Sequence, residues 1–284
     1  MDVNLVDSKT IASVGEKLID KMSSAVCWYF TRETPESIAI KTYITDIQNS
    51  NMPSLTKAAC IYNAKKTIKE YINQNDIVKE SLKYLGVNAE PDKVDDDWLA
   101  QFMDKARLVS DSEFKKIWGK ILAEECNKPG LVSKQVLNIV SMMDRQDAIA
   151  FTNICRFSLE LDCDDQDTRV FKYPLILESN IDDYYSKYDI TLDNLRTMES
   201  YGLIERIQNN SFGTNYSLHT DNDIISINYG GHKYELEPHT REIWQGNVIF
   251  KKPGRELCKV LDVEFVNDFW DTIVLPYFEG RKTV

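Results

Sequence analysis

The chain has 284 residues, a formal net charge of −11 and a hydrophobic fraction of 43%. That length accommodates two domains or one large one, and that apolar content can fill a sizeable core. A chain this acidic is repelled by nucleic acid unless its basic residues gather on one face, and they are dispersed along the sequence.

In chain order, Ile11, Val14, Leu18, Met22, Ala25 and Tyr29 follow three-and-four spacing, which predicts an amphipathic helix over residues 11–30. Its apolar end contains Trp28, a candidate interaction residue. The polar face carries Glu16, Lys17, Asp20 and Lys21, which nearly cancel. Packing against a bundle is therefore favoured over attachment to an anionic membrane surface, which stays open as the alternative. Thr34-Pro35-Glu36 has the form of a helix start. Ile38, Ile40, Tyr43, Ile44 and Ile47 predict the helix that follows. After a loop over residues 49–54, one helix is predicted from Leu55 to Asn73 and a short one from Asp76 to Tyr84. Lys57, Lys65, Lys66 and Lys69 make the first of these locally basic. A solvated charged face is the expectation there, with phosphate contact as the alternative. The acidic connector Glu90–Asp97 suits the N-terminal end of a helix, where the macrodipole favours negative charge.

The stretch from Asp97 to Phe151 is the most strongly patterned. Trp98, Phe102, Ala106 and Val109 form one helical stripe. Ser110 with Glu113 has the spacing of a capping box, and Phe114, Ile117, Trp118, Ile121 and Leu122 form the next stripe. Pro129-Gly130 stops that helix. Ser133 is read as the cap for a stripe of Val136, Leu137, Val140 and Met143, and Asp144 as the cap for Ala148, Phe151, Ile154 and Cys155. Glu124 and Glu125 are assigned to an exposed helix face. Short connections imply antiparallel neighbours.

Asp97-Trp98, Ser110–Glu113, Trp118–Glu125, Pro129-Gly130, Ser133, Asp147-Ala148 and Phe151, with Gly202-Leu203-Ile204 and Gly254–Leu257 further on, resemble a bacterial domain-of-unknown-function family, number 2806. The central block is similar, more distantly, to the abortive-infection alpha proteins of phage defence. The resemblance covers about two thirds of the chain and implies no catalytic residues, since that family has none established. Lys252-Pro253 departs from it, standing where a threonine is expected ahead of the Gly-Arg-Glu-Leu run.

Beyond Leu159 the texture changes. Glu160–Asp167 reads as a solvated acidic loop. Asp162, Asp164 and Asp167 lack the sixth-position glycine and twelfth-position glutamate of a calcium loop. Val170–Leu177 is strand-like. A helix capped by Asp189 or Thr191 carries Leu192, Leu195 and Met198, ends at Gly202, and is followed by a strand at Leu203–Ile207 and a return at Tyr216–Leu218. That order is the layout of a winged helix. Asn194 and Arg196 on its second helix are candidate contact residues, although the helix is net negative. Gly230-Gly231 between two strand-like runs predicts a hairpin, and Asn247–Phe250 a further strand. Pro253-Gly254 opens a helix through Leu261, and a last helix is expected from Val266, ending at Pro276.

The expected fold is thus α+β: an N-terminal helical bundle over residues 1–158, then a smaller winged-helix-like domain with antiparallel strands over 168–284. His219, His232 and His239 have no paired ligand spacing. Cys27, Cys60, Cys126, Cys155, Cys163 and Cys258 contain no Cys-x-x-Cys and read as buried, reduced thiols. No nucleophile elbow, phosphate loop or dinucleotide fingerprint is present. No signal peptide or membrane-spanning run stands out, which places the chain in the cytoplasm. The expected function is a non-catalytic protein-interaction role, without cofactor or metal, in phage defence. The expected partner is a protein, with self-association as an alternative. Two other readings are a nucleic-acid-binding regulator acting through the wing and a membrane-associated effector acting through residues 11–30.

Overall fold

A computed structural model describes residues 3–28, 38–163, 171–207, 215–217, 225–236 and 242–279. The fold is α+β, helical first and with antiparallel strands later. Two compact units divide it, Met1–Leu137 and Asn138–Val284, so the division falls ahead of the acidic stretch at 160–167.

The first unit contains α1 (Val3–Val26), α2 (Ile38–Asn49), α3 (Ser54–Ser81), α4 (Asp96–Ala106) and α5 (Ser112–Asn127), and α6 (Lys134–Met142) begins there. The helix start read at Thr34–Glu36 lies outside the described residues. The two helices expected between Leu55 and Tyr84 are one, α3, of 28 residues. The polar run Asn73-Gln74-Asn75 does not break it. Asn73 Nδ2 donates to the Arg107 carbonyl at 2.9 Å and Gln74 Nε2 to the Met103 carbonyl at 3.0 Å, so these side chains meet the end of α4.

The connector before α4 acts as expected. The Asp95 carboxylate accepts from the Trp98 N–H at 2.8 Å, which holds its pKa below the usual carboxylate range, and Asp96 and Asp97 fill the first turn. At α5 the cap is Asp111, not Ser110. One Asp111 oxygen accepts from the N–H groups of Glu113 and Phe114, both at 3.0 Å. Glu113 is left to pair with Lys116 at 2.8 Å, because a carboxylate one position later already reaches the free donors.

Leu18, Met22, Ile77, Leu99, Phe102, Trp118, Ile121 and Leu122 are buried together in this unit's core. Trp98, Phe102 and Trp118 form a run of rings with successive centroids 5.3 Å apart. α3 packs closely on α5. A Cβ on Gly119 would lie 2.9 Å from Glu80 Cβ and 3.1 Å from the Ser81 nitrogen, so glycine is needed there.

The second unit continues through α7 (Arg145–Arg156), whose N-terminus is a reciprocal box: Asp144 Oδ1 accepts from Gln146 and Asp147, and Asp147 Oδ2 accepts from the Asp144 N–H. Next come β1 (Ser158–Cys163), β2 (Phe171–Pro174), α8 (Leu192–Ser200), β3 (Ile204–Arg206), β4 (Asn215–Ser217), β5 (Ile225–Tyr229), β6 (His232–Glu235), β7 (Glu242–Trp244) and β8 (Val248–Phe250). A four-stranded antiparallel sheet runs β2-β1-β5-β6. The loop expected from Glu160 is therefore strand as far as Cys163. Leu159 and Leu161 are buried on either side of Glu160, a period-two pattern that the acidic composition obscures.

The Gly230-Gly231 hairpin forms as expected, with φ of +55° and +87°, and pairs Tyr229 with His232. Thr191 caps α8 by accepting from the Asn194 N–H, and Gly202 closes it with φ of +75°. The return strand differs from expectation. Tyr216 pairs with Ile243 of β7, and β3 pairs with β8, so the strand after α8 finds its neighbour more than forty residues along the chain. The β5–β6 hairpin lies within that excursion.

Pro253 opens α9 (Lys252–Val260), and a Cβ on Gly254 would overlap the Leu203 carbonyl oxygen. Pro276 does not end the last helix. A π-turn over Trp270–Val274 passes directly into α10 (Leu275–Glu279), so the helix runs on through the proline, with the wider turn just ahead of it.

Asp111→Ala should lower unfolding free energy by about 1 kcal/mol, whereas Ser110→Ala should change it by less than about 0.5 kcal/mol; urea titration of both variants checks the cap assignment. Gly254→Ala should cost about 3 kcal/mol, because the new methyl displaces strand backbone. Gly130→Ala, at φ of +85° with nothing within 4 Å, should cost about 1 kcal/mol in the same titration.

Candidate functional site

The first unit holds two kinds of helix surface. From Asn73 onward α3 is repeatedly buried. Before that, α2 and the outer part of α3 form an antiparallel hairpin joined by the short turn at residues 50–53. Between residues 41 and 70 the one fully buried side chain is Ile47. Lys57 Nζ donates to the Gln48 carbonyl at 2.7 Å and ties the two helices at the turn. Leu55 is 83% exposed, Tyr62 67%, Tyr43 55% and Met52 41%. So many large apolar groups left exposed on one helix pair set it apart from the core-packed helices.

Charge sets the same element apart. Residues 38–70 hold five lysines, one aspartate and one glutamate, in a chain of net charge −11. Lys65, Lys66 and Lys69 are exposed, with Lys66 4.0 Å from Glu70. Glu70 also holds Arg107 at 2.7 Å, at the inner end of the hairpin. The sequence exposed the lysines but not the display of Tyr43, Leu55 and Tyr62. Apolar residues at helical spacing read equally well as core, and only their exposure in the folded chain separates the two.

The residues singled out from sequence sit elsewhere. Trp28 is buried and stacks on Tyr71 with ring centroids 6.1 Å apart, which makes it a packing residue. The apolar face of α1 is likewise occupied: Val14, Leu18 and Met22 are buried, and the helix packs on α4. Asn194 serves the start of α8, its side chain donating to the Asp189 carbonyl at 2.6 Å. Arg196 is exposed and pairs with Asp193 at 2.9 Å on its own helix.

The central carboxylates are occupied in holding the backbone. Glu125 is 2% exposed, against the expectation of an exposed face. Its two oxygens accept from the N–H groups of Gly130 at 2.7 Å and Val132 at 2.8 Å, and so fix the turn after α5. A buried carboxylate is tolerated because both oxygens have donors. Glu124 accepts from Asn127 Nδ2 at 3.0 Å. In the second unit, Asp268 Oδ1 accepts from the hydroxyls of Tyr184 at 3.1 Å and Tyr188 at 3.2 Å, beside the buried rings of Phe157, Tyr185 and Phe269. Burial and this carboxylate push the Tyr184 hydroxyl pKa far up, so it stays a neutral donor. Glu178 holds the buried Arg206 guanidinium at 2.7 Å.

Among the described residues no three His, Cys, Asp or Glu side chains are grouped to hold a metal ion. His219, His239 and residues 164–170 lie outside them. No described helix is long and apolar enough to cross a membrane.

The model of the family described as "Protein of unknown function (DUF2806)" matches residues 62–274, and the chain belongs to that family. The match begins within α3, at the exposed Tyr62. No curated protein and no solved structure matches the chain.

The thiols divide by burial. Burial pushes Cys126 up to about 12 and Cys155 well above the ordinary thiol range, while Cys27 is exposed. Because the thiolate is the nucleophile, iodoacetamide at neutral pH should modify Cys27 in the native protein and leave Cys126 and Cys155 intact until denaturant is added. Peptide mass mapping checks this.

Proposed function

We propose that the protein is a non-catalytic interaction protein that engages its partner through the α2–α3 hairpin and serves in phage defence. The observation that carries the first part is the exposure of Leu55, Tyr62 and Tyr43 on a helix pair with so little buried of its own. Ordinary surface positions seldom hold several such side chains on one short element. The central carboxylates support a scaffold role for the tryptophan-bearing helices, since Glu113, Glu124 and Glu125 each hold a neighbouring backbone or side-chain donor. The defence part rests on the similarity of the Asp97–Phe151 block to the abortive-infection alpha proteins.

The test uses cells that carry the full chain and are challenged with phage. Trp118→Ala removes a fully buried ring, should cost about 4 kcal/mol of stability and should abolish resistance. Leu55→Glu with Tyr62→Glu should leave the unfolding midpoint near the parent value, because both positions are exposed, and should still abolish resistance. Full resistance in a folded hairpin variant would reject the hairpin as the binding element. Full resistance with the Trp118 variant would reject the defence role.

A further inference from the structure

We infer that the α2–α3 hairpin docks on an anionic lipid surface, its turn entering the interface and its lysines facing the phosphates. This rests on the hairpin being the binding element. The groups are ordered along the hairpin. Met52 and Leu55 sit at the turn and are 41% and 83% exposed. Tyr43 and Tyr62 lie about 10 Å back along their helices, and Lys65, Lys66 and Lys69 about 20 Å back. Two apolar side chains among the polar residues of the turn, then the tyrosines with Lys41, then three lysines, follow the gradient from acyl chain through the interface to the charged headgroup layer. Lys57 keeps its ammonium on the Gln48 carbonyl near the turn, where it satisfies a backbone acceptor.

Charge selects among occupants. A second copy would bring one net-positive hairpin against another, which repels. An anionic surface attracts five lysines set against two acids, and the attraction acts within about one Debye length, roughly 8 Å. Nucleic acid is a weaker fit. Residues 38–70 contain no arginine for base edges, and Leu55 at the turn is 83% exposed. The earlier membrane candidate, α1, is displaced because its apolar face is committed to the core.

The experiment is flotation of the full chain with vesicles of phosphatidylglycerol and phosphatidylcholine in equal parts, beside vesicles of phosphatidylcholine alone. The chain should float with the anionic vesicles only and should be released by salt. Replacing Lys65, Lys66 and Lys69 together with alanine should weaken binding roughly a hundredfold, since each lysine near such a surface contributes about a factor of five. Leu55→Glu should remove binding while circular dichroism stays unchanged. Absence of flotation, or flotation unchanged in both variants, overturns the proposal. So does binding to a short DNA duplex, or a doubled mass in solution, that is lost in these variants while vesicles are ignored. Either of those last two outcomes leaves the hairpin as the binding element and rejects only the lipid. Phage resistance that survives the exposed double substitution rejects the element itself.

Discussion

The crossing of α3 on α5 at Gly119 is the contact on which the first unit depends. Glycine inside a helix costs about 1 kcal/mol against alanine. Here it lets Glu80 and Ser81 of one helix lie directly on the backbone of the other. That approach brings Trp118 beneath Phe102 and lets the aromatic run extend to Trp98, whose indole N–H donates to the Val132 carbonyl at 2.7 Å. Only the inner part of α3 is held in this way. Because the helix is continuous, its rigid outer part is carried away from those contacts, and the exposed hairpin follows from where the packing stops.

The helical half was legible because its signals are local. Stripes such as Phe114, Trp118, Ile121 and Leu122 survive any tertiary arrangement, and Asp144, Gly202 and Gly230-Gly231 act within a few residues of themselves. Several misreadings turn on groups that lie outside the local pattern. Asn73 and Gln74 looked like a break until the end of α4 supplied acceptors. Glu125 looked solvated until the turn after it folded back. Tyr216 looked like the partner of β3 because nearness in sequence is the default for hairpins, and β8 won instead. The hairpin surface was half legible: its lysines stood out, whereas the exposure of Leu55 is set by the folded arrangement.

Net charge was similarly uninformative at this scale. A total of −11 argues against polyanions as partners, yet a single element can carry the opposite sign when the acids are concentrated elsewhere. Asp95, Asp96 and Asp97 are used at one helix start, and Asp144 and Asp147 at another. Acids placed to satisfy backbone N–H groups leave the lysines of α3 as a local majority.

The strand order of the second unit bears on how the chain reaches this state. β1 pairs on one side with β2, close by in sequence, and on the other with β5, where Cys163 meets Ile225. Closing that second edge joins residues separated by the whole excursion through α8, β3 and β4, an entropic cost that local helix contacts avoid. Sheets with such distant neighbours assemble slowly, while helices joined by short turns assemble fast. The helical unit also leaves the ribosome first, so its pieces can find one another during translation before the last strands exist. Until β5 arrives, the open side of β1 presents unpaired backbone groups, which makes the nascent second unit the segment most in need of protection from other strands.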